Sequence, residues 1–256
     1  MTIRLHLNQQ LGDGAEASLS AEQVHYLRTV MRRQEGDALL VFNARDGEYA
    51  AVINSLSKKT GLVTLGARTR VAESEPDLWL LFAPIKRGPV DIIAQKATEL
   101  GVSVLAPVST ERTNAGRVNT ERLSAIATEA AEQCDRLSVP EVRTLQKLEK
   151  ALADWPHDRL LIFCDEAGEN EDDAWGGREG RAAPMLEVLR TRENAAESAA
   201  ILIGPEGGFS REERALLRAK PYVAPVTLGP RILRADTAAI AAVTLWQAAC
   251  GDFRKQ

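Results

Sequence analysis

The sequence predicts an α/β protein in two parts, a small β-barrel followed by a larger domain with a mainly parallel sheet. Short apolar runs between residues 38 and 65 are separated by the turn dipeptides Asp46-Gly47 and Thr60-Gly61, which is typical of a small barrel. From Leu78 onward, strand-like apolar runs alternate with helical patterns, as in a parallel α/β sheet. A chain of 256 residues is long enough for two modest domains.

The N-terminal part, predicted over residues 1–72, begins with an alternating strand at 3–7. A helix is predicted over 20–33, because Ser20 can cap it and Val24, Leu27 and Val30 form an apolar stripe. A polar, proline-containing linker over 70–77 separates this part from a second domain at 77–256. Strands are expected at 38–43, 48–56 and 62–65.

The C-terminal part contains two glycine-rich turns around which the rest of the domain is organised. The first follows the apolar run 201–203 and precedes a helix, which Ser210 and Glu213 open as a capping box. The second, at 228–237, leads into an Ala-rich helix over 235–250. Further strands are predicted at 78–83, 102–108 and 160–164, and helices at 89–100, 120–135 and 184–191.

Both turns and the segment 165–168 follow predicted parallel strands, so they are expected at one edge of the sheet. Ligands of such sheets bind at the carboxyl ends of the strands. Glycines there free the backbone for tight turns and for close approach of a ligand, although turns alone also require glycine. The sequence therefore predicts either a cleft for a small organic cofactor or a purely structural pair of turns.

Several other kinds of site are excluded by the residue pattern. The chain has no Walker-type phosphate loop and no Gly-x-Ser-x-Gly elbow. Its three histidines and three cysteines are dispersed, so no metal site is predicted. An odd number of distant cysteines favours a reducing compartment. With no secretory signal and no long apolar stretch, the sequence predicts a cytoplasmic protein without membrane contact.

The charge is unevenly distributed along the chain. Residues 165–181 contain seven acidic and two basic side chains, whereas the whole chain has a net charge of −4. The part of this segment from Glu169 to Arg181 is interpreted mainly as a solvated surface loop. On the predicted helix 20–33, His25, Arg28 and Arg32 share a face, which is either a solvated helix face or a phosphate-binding patch.

Two late motifs resemble a known family. The segments Gly204-Pro205-Glu206-Gly207-Gly208 and Leu228-Gly-Pro-Arg-Ile-Leu-Arg234, the latter followed by Thr237-Ala238, are similar to the SPOUT class of knotted methyltransferases. Within that class the chain is most similar to the RsmE family of 16S ribosomal RNA uridine-N3 methyltransferases. Matches extend over nearly the whole chain. One departure is Asp236, where the family often has glutamate.

The resemblance implies a C-terminal SPOUT-type parallel sheet with a deep trefoil knot, and an N-terminal PUA-like barrel that binds RNA. It also implies a homodimer, S-adenosylmethionine as cofactor, no metal, and 16S ribosomal RNA or the small ribosomal subunit as partner. The implied cofactor-binding residues are Phe163, Ile203, Gly204, Pro205, Glu206, Gly207, Gly208, Leu228, Gly229, Ile232 and Leu233.

The catalytic roles can be written as hypotheses. Arg234 or Arg231 would stabilise charge that develops on the uracil oxygens. Glu206 or Asp236 would take the ring proton or position an arginine, and the sequence leaves that choice open. The expected RNA-binding residues are His25, Arg28, Arg32, Lys86 and Arg87.

Two other functions remain compatible with the sequence. One is a SPOUT ribose 2′-O-methyltransferase that acts on transfer or ribosomal RNA. The other is a non-catalytic RNA-binding factor in ribosome assembly, which would not need to bind S-adenosylmethionine.

Overall fold

A computed structural model describes residues 2–85, 87–114, 116–170, 174–192 and 198–254. The chain divides into two compact units. The first consists of Met1–Ser74 with Thr128–Val139, and the second of Glu75–Ala127 with Pro140–Gln256. The segment 128–139 thus groups with the first unit. The domain boundaries 1–72 and 77–256 stay a prediction.

The first unit is built on a five-stranded sheet. Its strands are β1 (Arg4–His6), β2 (Glu16–Leu19), β3 (Ala38–Asn43), β4 (Gly47–Leu56) and β5 (Gly61–Arg70). The order is β1-β3-β4-β5-β2, with β1 parallel to β3 and the other pairs antiparallel. Alternation along the strands buries one face, and its buried residues include Leu5, Val41, Ile53, Val63 and Leu65. The strand β2 was not predicted.

The helix that follows β2 is shorter than the sequence pattern predicted. Helix α1 (Ala21–His25) begins with a capping box between Ser20 and Gln23, which confirms the predicted cap. The chain continues as a π-helical turn, Tyr26–Val30, and the helix ends there. The predicted end at residue 33 was wrong, because Arg32 adopts a left-handed backbone conformation with a φ of 52°.

The segment 128–139 is attached to the first unit through Arg4. The Arg4 guanidinium pairs with Glu48 at 2.7 Å and donates to the carbonyl oxygens of Ala131 and Arg136 at 3.1 and 3.0 Å. In the same segment, a Glu132 carboxylate oxygen accepts a hydrogen bond from the His6 backbone N–H at 2.9 Å. Burial raises the pKa of Glu132 to about 7.

The second unit is built on a parallel sheet. Its strands pair in the order β12-β10-β11-β6-β7-β8, and β9 pairs with β7. Each pairing is parallel, and the central strands are buried, as expected for a sheet covered on both faces. In chain order the strands are β6 (Asp77–Phe82), β7 (Val104–Ser109), β8 (Glu141–Val142), β9 (Gln146–Lys147), β10 (Leu160–Cys164), β11 (Ser198–Ile203) and β12 (Val223–Val226).

Helices alternate with these strands. The helices are α2 (Arg87–Glu99), α3 (Thr120–Gln133), α4 (Leu148–Ala153), α5 (Met185–Arg190), α6 (Arg211–Arg218) and α7 (Ala235–Ala249). The sequence pattern predicted each of these helices except α4, and missed β8 and β9, which have two residues each. The predicted fold class, an α/β protein with a mainly parallel sheet and a small N-terminal β unit, is confirmed. Among the described residues, no helix is long and apolar enough to cross a membrane.

The raised pKa of Glu132 predicts a pH dependence of stability. A carboxyl group with a raised folded-state pKa stabilises the protein below its unfolded pKa of about 4.5, and that contribution is lost as the pH rises towards 7. We expect that Glu132→Gln does not lose stability in this way as the pH rises, because glutamine does not ionise. Between pH 4.5 and 7.5, its free energy of unfolding should rise relative to wild type by roughly 1 to 3 kcal/mol, measured by urea unfolding.

Glu16→Gln is the matched control, because Glu16 is an exposed carboxylate in the same unit. Its unfolding curve should follow that of wild type across this pH range. Parallel pH profiles for wild type and Glu132→Gln would contradict the assignment.

Candidate active site

The carboxyl ends of three neighbouring strands form one edge of the sheet. Strand β10 pairs in parallel with β11 on one side and with β12 on the other. The ladder with β12 continues one step further, since the Asp165 N–H donates to the Val226 carbonyl at 2.9 Å. Both glycine-rich turns and the segment 165–168 therefore emerge at the same edge, as the sequence predicted.

The first turn requires glycine at two positions. Gly208 has a φ of +67° and closes the turn with a 2.8 Å hydrogen bond from its N–H to the Pro205 carbonyl. At Gly204, a Cβ would lie 2.5 Å from the ring of Phe209. That ring packs edge-on against Phe163, with 4.9 Å between centroids. The turn is therefore packed directly on the aromatic core beneath it.

Helix α6 begins directly after this turn. The Ser210 hydroxyl accepts a hydrogen bond from the Glu213 N–H at 3.2 Å, and the Glu213 carboxylate accepts one from the Ser210 N–H at 2.9 Å. This confirms the predicted capping box. The other Glu213 oxygen accepts from the Glu111 N–H at 2.7 Å, so the buried carboxylate also attaches the loop after β7 to the start of α6.

The second turn is held by Glu166, which the sequence analysis did not select. One Glu166 oxygen accepts a hydrogen bond from the Leu228 N–H, and the other accepts one from the Thr227 hydroxyl, both at 2.7 Å. Burial raises the pKa of Glu166, and these two hydrogen bonds act in the opposite direction. A carboxylate from the end of β10 thus joins the segment after β10 to the turn after β12.

A cleft of about 930 Å³ opens at this edge of the sheet. Its walls come from the two turns, the segment 165–170, Trp175 and Gly176, and the first residues of α6 and α7. A cleft of this size suits an organic cofactor. The predicted site residues that line it are Ile203, Gly204, Pro205, Glu206, Gly207, Gly208, Ile232, Leu233 and Arg234.

The other predicted site residues of this unit lie outside the described lining of the cleft. Phe163 is fully buried beneath Phe209. Arg231 is exposed. An Asp236 oxygen accepts from the Thr237 N–H at 2.8 Å in the first turn of α7, where a negative charge stabilises the helix N-terminus. Leu228 and Gly229 begin the second turn and are not part of the described lining. The functional roles of all five residues stay predictions.

The expected RNA-binding residues are only partly described. In the first unit, Arg28 donates to the Ser57 carbonyl at 2.8 Å, and the His25 ring lies 3.3 Å from the Thr29 hydroxyl. Because the helix ends before Arg32, the spacing of Arg28 and Arg32 does not place them on one helical face. Lys86 lies outside the described residues, and Arg87 begins α2.

The segment directly after β10 is held by two arginines of α6. Asp165 is 1% exposed and accepts hydrogen bonds from the Nε atoms of Arg214 and Arg218 on α6, both at 2.8 Å. Arg214 also donates to the carbonyls of Ala167 and Gly168 at 2.7 and 3.1 Å. The predicted solvated loop begins after these residues, at Glu169, and its described side chains include the exposed Glu169, Arg178 and Glu179. Four of its residues, Glu169, Asn170, Trp175 and Gly176, also line the cleft. Its acidic residues 171–173 lie outside the described residues.

No nucleophile or metal centre accompanies the cleft in the described part of the chain. Burial raises the pKa of the Cys164 thiol, which keeps it protonated and unreactive at neutral pH. No group of three or more candidate ligands for a metal ion occurs among the described side chains. What the cleft does offer is backbone groups of two turns, apolar walls, and Arg234 and Glu206.

Comparisons with known proteins agree with this arrangement. Residues 72–247 match the model of an RNA methyltransferase domain, and residues 19–66 match that of an RNA methyltransferase PUA domain. The chain belongs to this RNA methyltransferase family. It is 31% identical to the ribosomal RNA small subunit methyltransferase E of Rickettsia conorii, over 94% of this chain and 93% of the relative. It is 32% identical to the Synechocystis enzyme of the same name, over 88% of this chain and 70% of that relative.

Solved structures of the family have the same fold. A putative methyltransferase of Legionella pneumophila, solved with the bound cofactor SAM, has a TM-score of 0.84 and 29% identity, covering 98% of this chain and 99% of that one. The ribosomal RNA small subunit methyltransferase E of Neisseria gonorrhoeae, bound to S-adenosyl methionine, also has a TM-score of 0.84. The two are 25% identical, and the match covers 99% of this chain and 100% of that one. The predicted family, with its SPOUT-type and PUA-like parts, is confirmed.

The two adjacent glycines of the first turn should respond differently to alanine. At Gly208, a Cβ would lie 2.7 Å from the Trp175 ring in a backbone conformation that alanine disfavours, whereas at Gly207 it would make ordinary contacts of 3.5 Å or more with Arg112. We expect Gly208→Ala to lower the free energy of unfolding by about 1 to 3 kcal/mol. Gly207→Ala should change it by less than about 0.5 kcal/mol.

Urea unfolding of both variants measures the difference. Equal stabilities for Gly208→Ala and Gly207→Ala would mean that the turn is not held in this conformation.

Proposed function

We propose that the protein transfers a methyl group from S-adenosylmethionine to N3 of a uridine in the 16S RNA of the small ribosomal subunit. The observation that carries the proposal is the cleft between the two glycine-rich turns, which Arg234 and Glu206 reach from opposite turns. Relatives named ribosomal RNA small subunit methyltransferase E, and neighbours solved with the same cofactor, support the choice of donor and acceptor.

The residues of the cleft fit this cofactor. The volume of about 930 Å³ accommodates a nucleoside joined to an amino acid. Ile232, Leu233 and the buried Ala238 offer apolar contacts, and Gly204 and Gly207 leave backbone groups accessible. When bound, S-adenosylmethionine supplies an electrophilic methyl group on a sulfonium, so the reaction needs no metal.

The protein must also stabilise the negative charge that develops on the uracil ring when N3 loses its proton. Uridine N3 carries a proton that has to leave before or during transfer, and charge develops on the two uracil carbonyl oxygens. Arg234, an exposed residue on the cleft wall, would donate a hydrogen bond to such an oxygen. Glu206 lines the same cleft and is the better candidate to accept the proton, because Asp236 is already hydrogen-bonded at the start of α7.

Glu166 acts on the cofactor site through the second turn. Its two hydrogen bonds hold Thr227 and Leu228, the residues from which the turn departs. A turn held in this way loses little conformational entropy when a ligand binds, which favours tight binding. We therefore assign Glu166 as a positioning residue.

The remaining expectations about partners belong to the same proposal. The RNA would be held by phosphate contacts from His25, Arg28, Arg32, Lys86 and Arg87, with the target base turned out of the RNA to reach the cleft. We propose a homodimer in the cytoplasm.

The proposed function is tested by incubating the purified protein and labelled S-adenosylmethionine with small ribosomal subunits that lack the modification. Naked 16S RNA is the parallel substrate. Mass spectrometry of the product nucleosides should identify 3-methyluridine. A methyl group on a ribose oxygen would contradict the N3 assignment, and absence of both cofactor binding and transfer would contradict the enzymatic function.

Removing the Arg234 guanidinium should slow the chemical step. We expect Arg234→Ala to lower kcat by about 100- to 1000-fold, because one donor to the developing charge is lost. The dissociation constant for S-adenosylmethionine, measured by calorimetry, should change little. Arg231→Ala is the control, since Arg231 lies outside the described lining, and its kcat should fall by less than about tenfold.

A wild-type rate for Arg234→Ala would show that this residue does not stabilise the reaction. A larger loss in Arg231→Ala than in Arg234→Ala would reverse the two assignments.

A further inference from the structure

The loop after β10 places a tryptophan against the first glycine-rich turn. The Trp175 ring lies so close to Gly208 that a Cβ there would be 2.7 Å from the ring carbon Cζ3. Trp175 is 38% exposed, and it is the most exposed of the four tryptophans, because Trp155 and Trp246 are buried and Trp79 is half-buried. An indole at this position is neither part of the hydrophobic core nor free in solvent.

The backbone around Trp175 is held in an unfavourable conformation. Its φ of 58° lies in the left-handed region, which is uncommon for a bulky residue. Such conformations persist where the surroundings enforce them, and they concentrate at functional sites. The strained backbone therefore makes Trp175 a candidate for a functional residue.

The loop around the indole is firmly attached. The Trp175 carbonyl accepts from the Gly168 N–H at 2.9 Å, and the Gly176 carbonyl accepts from the Asn170 N–H at 3.0 Å. The segments that contain Gly168 and Gly176 are packed so tightly that a Cβ at Gly168 would collide with the Gly176 carbonyl. Arg214 fixes the first of these segments through Asp165 and two carbonyls. The indole is therefore a preorganised surface at the cleft.

A cation lies against the same turn. The Arg112 guanidinium donates to the Gly207 carbonyl at 3.0 Å, and its side chain packs against Gly207. Among the described residues it makes no ion pair with a carboxylate, so its positive charge remains available to an anion. The Trp175 ring thus packs against Gly208, and the positively charged Arg112 guanidinium lies against the preceding residue, Gly207.

We propose that Trp175 and Arg112 bind the RNA substrate at the mouth of the cleft, with the indole stacked on an unpaired base and the guanidinium on a phosphate. The proposal rests on the proposed function. Aromatic side chains that stack on splayed bases, together with cations that contact the backbone, are the usual means of holding single-stranded RNA. Trp175 and Arg112 both line the cleft and are exposed, whereas Ile203, Ala235 and Ala238 of the same lining are buried, so the indole and the guanidinium are the more accessible to a large substrate.

The kinetic test compares Trp175→Ala, Trp175→Phe and Arg112→Ala in the full-length protein. Stacking is worth about 1 to 3 kcal/mol per base, so Trp175→Ala should raise KM for the RNA by roughly 5- to 150-fold. Trp175→Phe keeps an aromatic plane and should restore most of the affinity. For Arg112→Ala, KM should rise, and the dependence of KM on salt concentration should become weaker.

Cofactor affinity shows whether the Trp175 indole contacts the RNA or S-adenosylmethionine. Calorimetric titration with S-adenosylmethionine should give dissociation constants within about twofold of wild type for all three variants. A weakened cofactor complex with an unchanged KM for RNA would mean that the indole contacts the cofactor, and the proposal would be overturned. Unchanged values of both quantities would also overturn it. Leu186→Ala removes an equally exposed apolar side chain outside the described cleft lining and should match wild type in both measurements.

A binding measurement separates this proposal from the proposed function. A single-stranded, uridine-containing oligoribonucleotide should quench the tryptophan fluorescence of wild type, and Trp175→Phe should lose that quenching. Quenching without methyl transfer would leave the RNA-binding surface standing and contradict the proposed function. Methyl transfer by wild type with no quenching, and with an unchanged KM in Trp175→Ala, would contradict the RNA-binding surface alone.

Discussion

The parallel pairing of β10 with β11 and with β12 is the constraint on which the candidate site depends. Because the three strands run in the same direction and in register, the residues that follow Cys164, Ile203 and Val226 emerge together. Segments that are far apart in the chain thereby become the walls of one cleft. If β12 paired elsewhere, the first turn would keep its shape, yet there would be no second wall for a cofactor to contact.

The cleft combines two kinds of recognition surface. Its floor is backbone, held in tight turns by Gly204 and Gly208 and packed on Phe209. Its rim consists of side chains that can reach a second substrate, with Arg234 on one turn and Arg112 and Trp175 against the other. Backbone groups suit a small invariant ligand, whereas long cationic and aromatic side chains suit a polyanion with exposed bases. This division fits a reaction between a small methyl donor and an RNA.

Three carboxylates hold the parts of the cleft together. Asp165 pairs with two arginines of α6, Glu166 joins the second turn, and Glu213 links α6 to the loop after β7. A carboxylate that is shielded from water is costly unless its oxygens are satisfied, and the buried Asp165 and Glu213 and the half-buried Glu166 each accept at least two hydrogen bonds. Each of the three carboxylates therefore joins segments of the cleft wall that are far apart in the chain.

The sequence by itself determined the elements whose causes are local. Ser210 and Glu213 cap α6 because capping depends on residues three positions apart. The strands β6, β7 and β10 were predicted to within two residues because their apolar runs are continuous, whereas β11 begins three residues before the predicted run. The expectations of a knot and of a particular cofactor came from the family resemblance, since the threading of a chain leaves no periodicity in its sequence. Strands of two residues, such as β8 and β9, carry too little pattern to be recognised.

Only the tertiary structure decided which polar residues meet. Glu166 bonds a residue 62 positions away, and Asp165 bonds arginines 49 and 53 positions away, so nothing in their neighbourhood distinguishes them from solvated acids. The same holds for Trp175, which sits in a polar, glycine-rich stretch and acquires its position from contacts with Gly168 and Gly208. Local propensity specifies elements, whereas the register of the parallel sheet specifies which of their ends share a site.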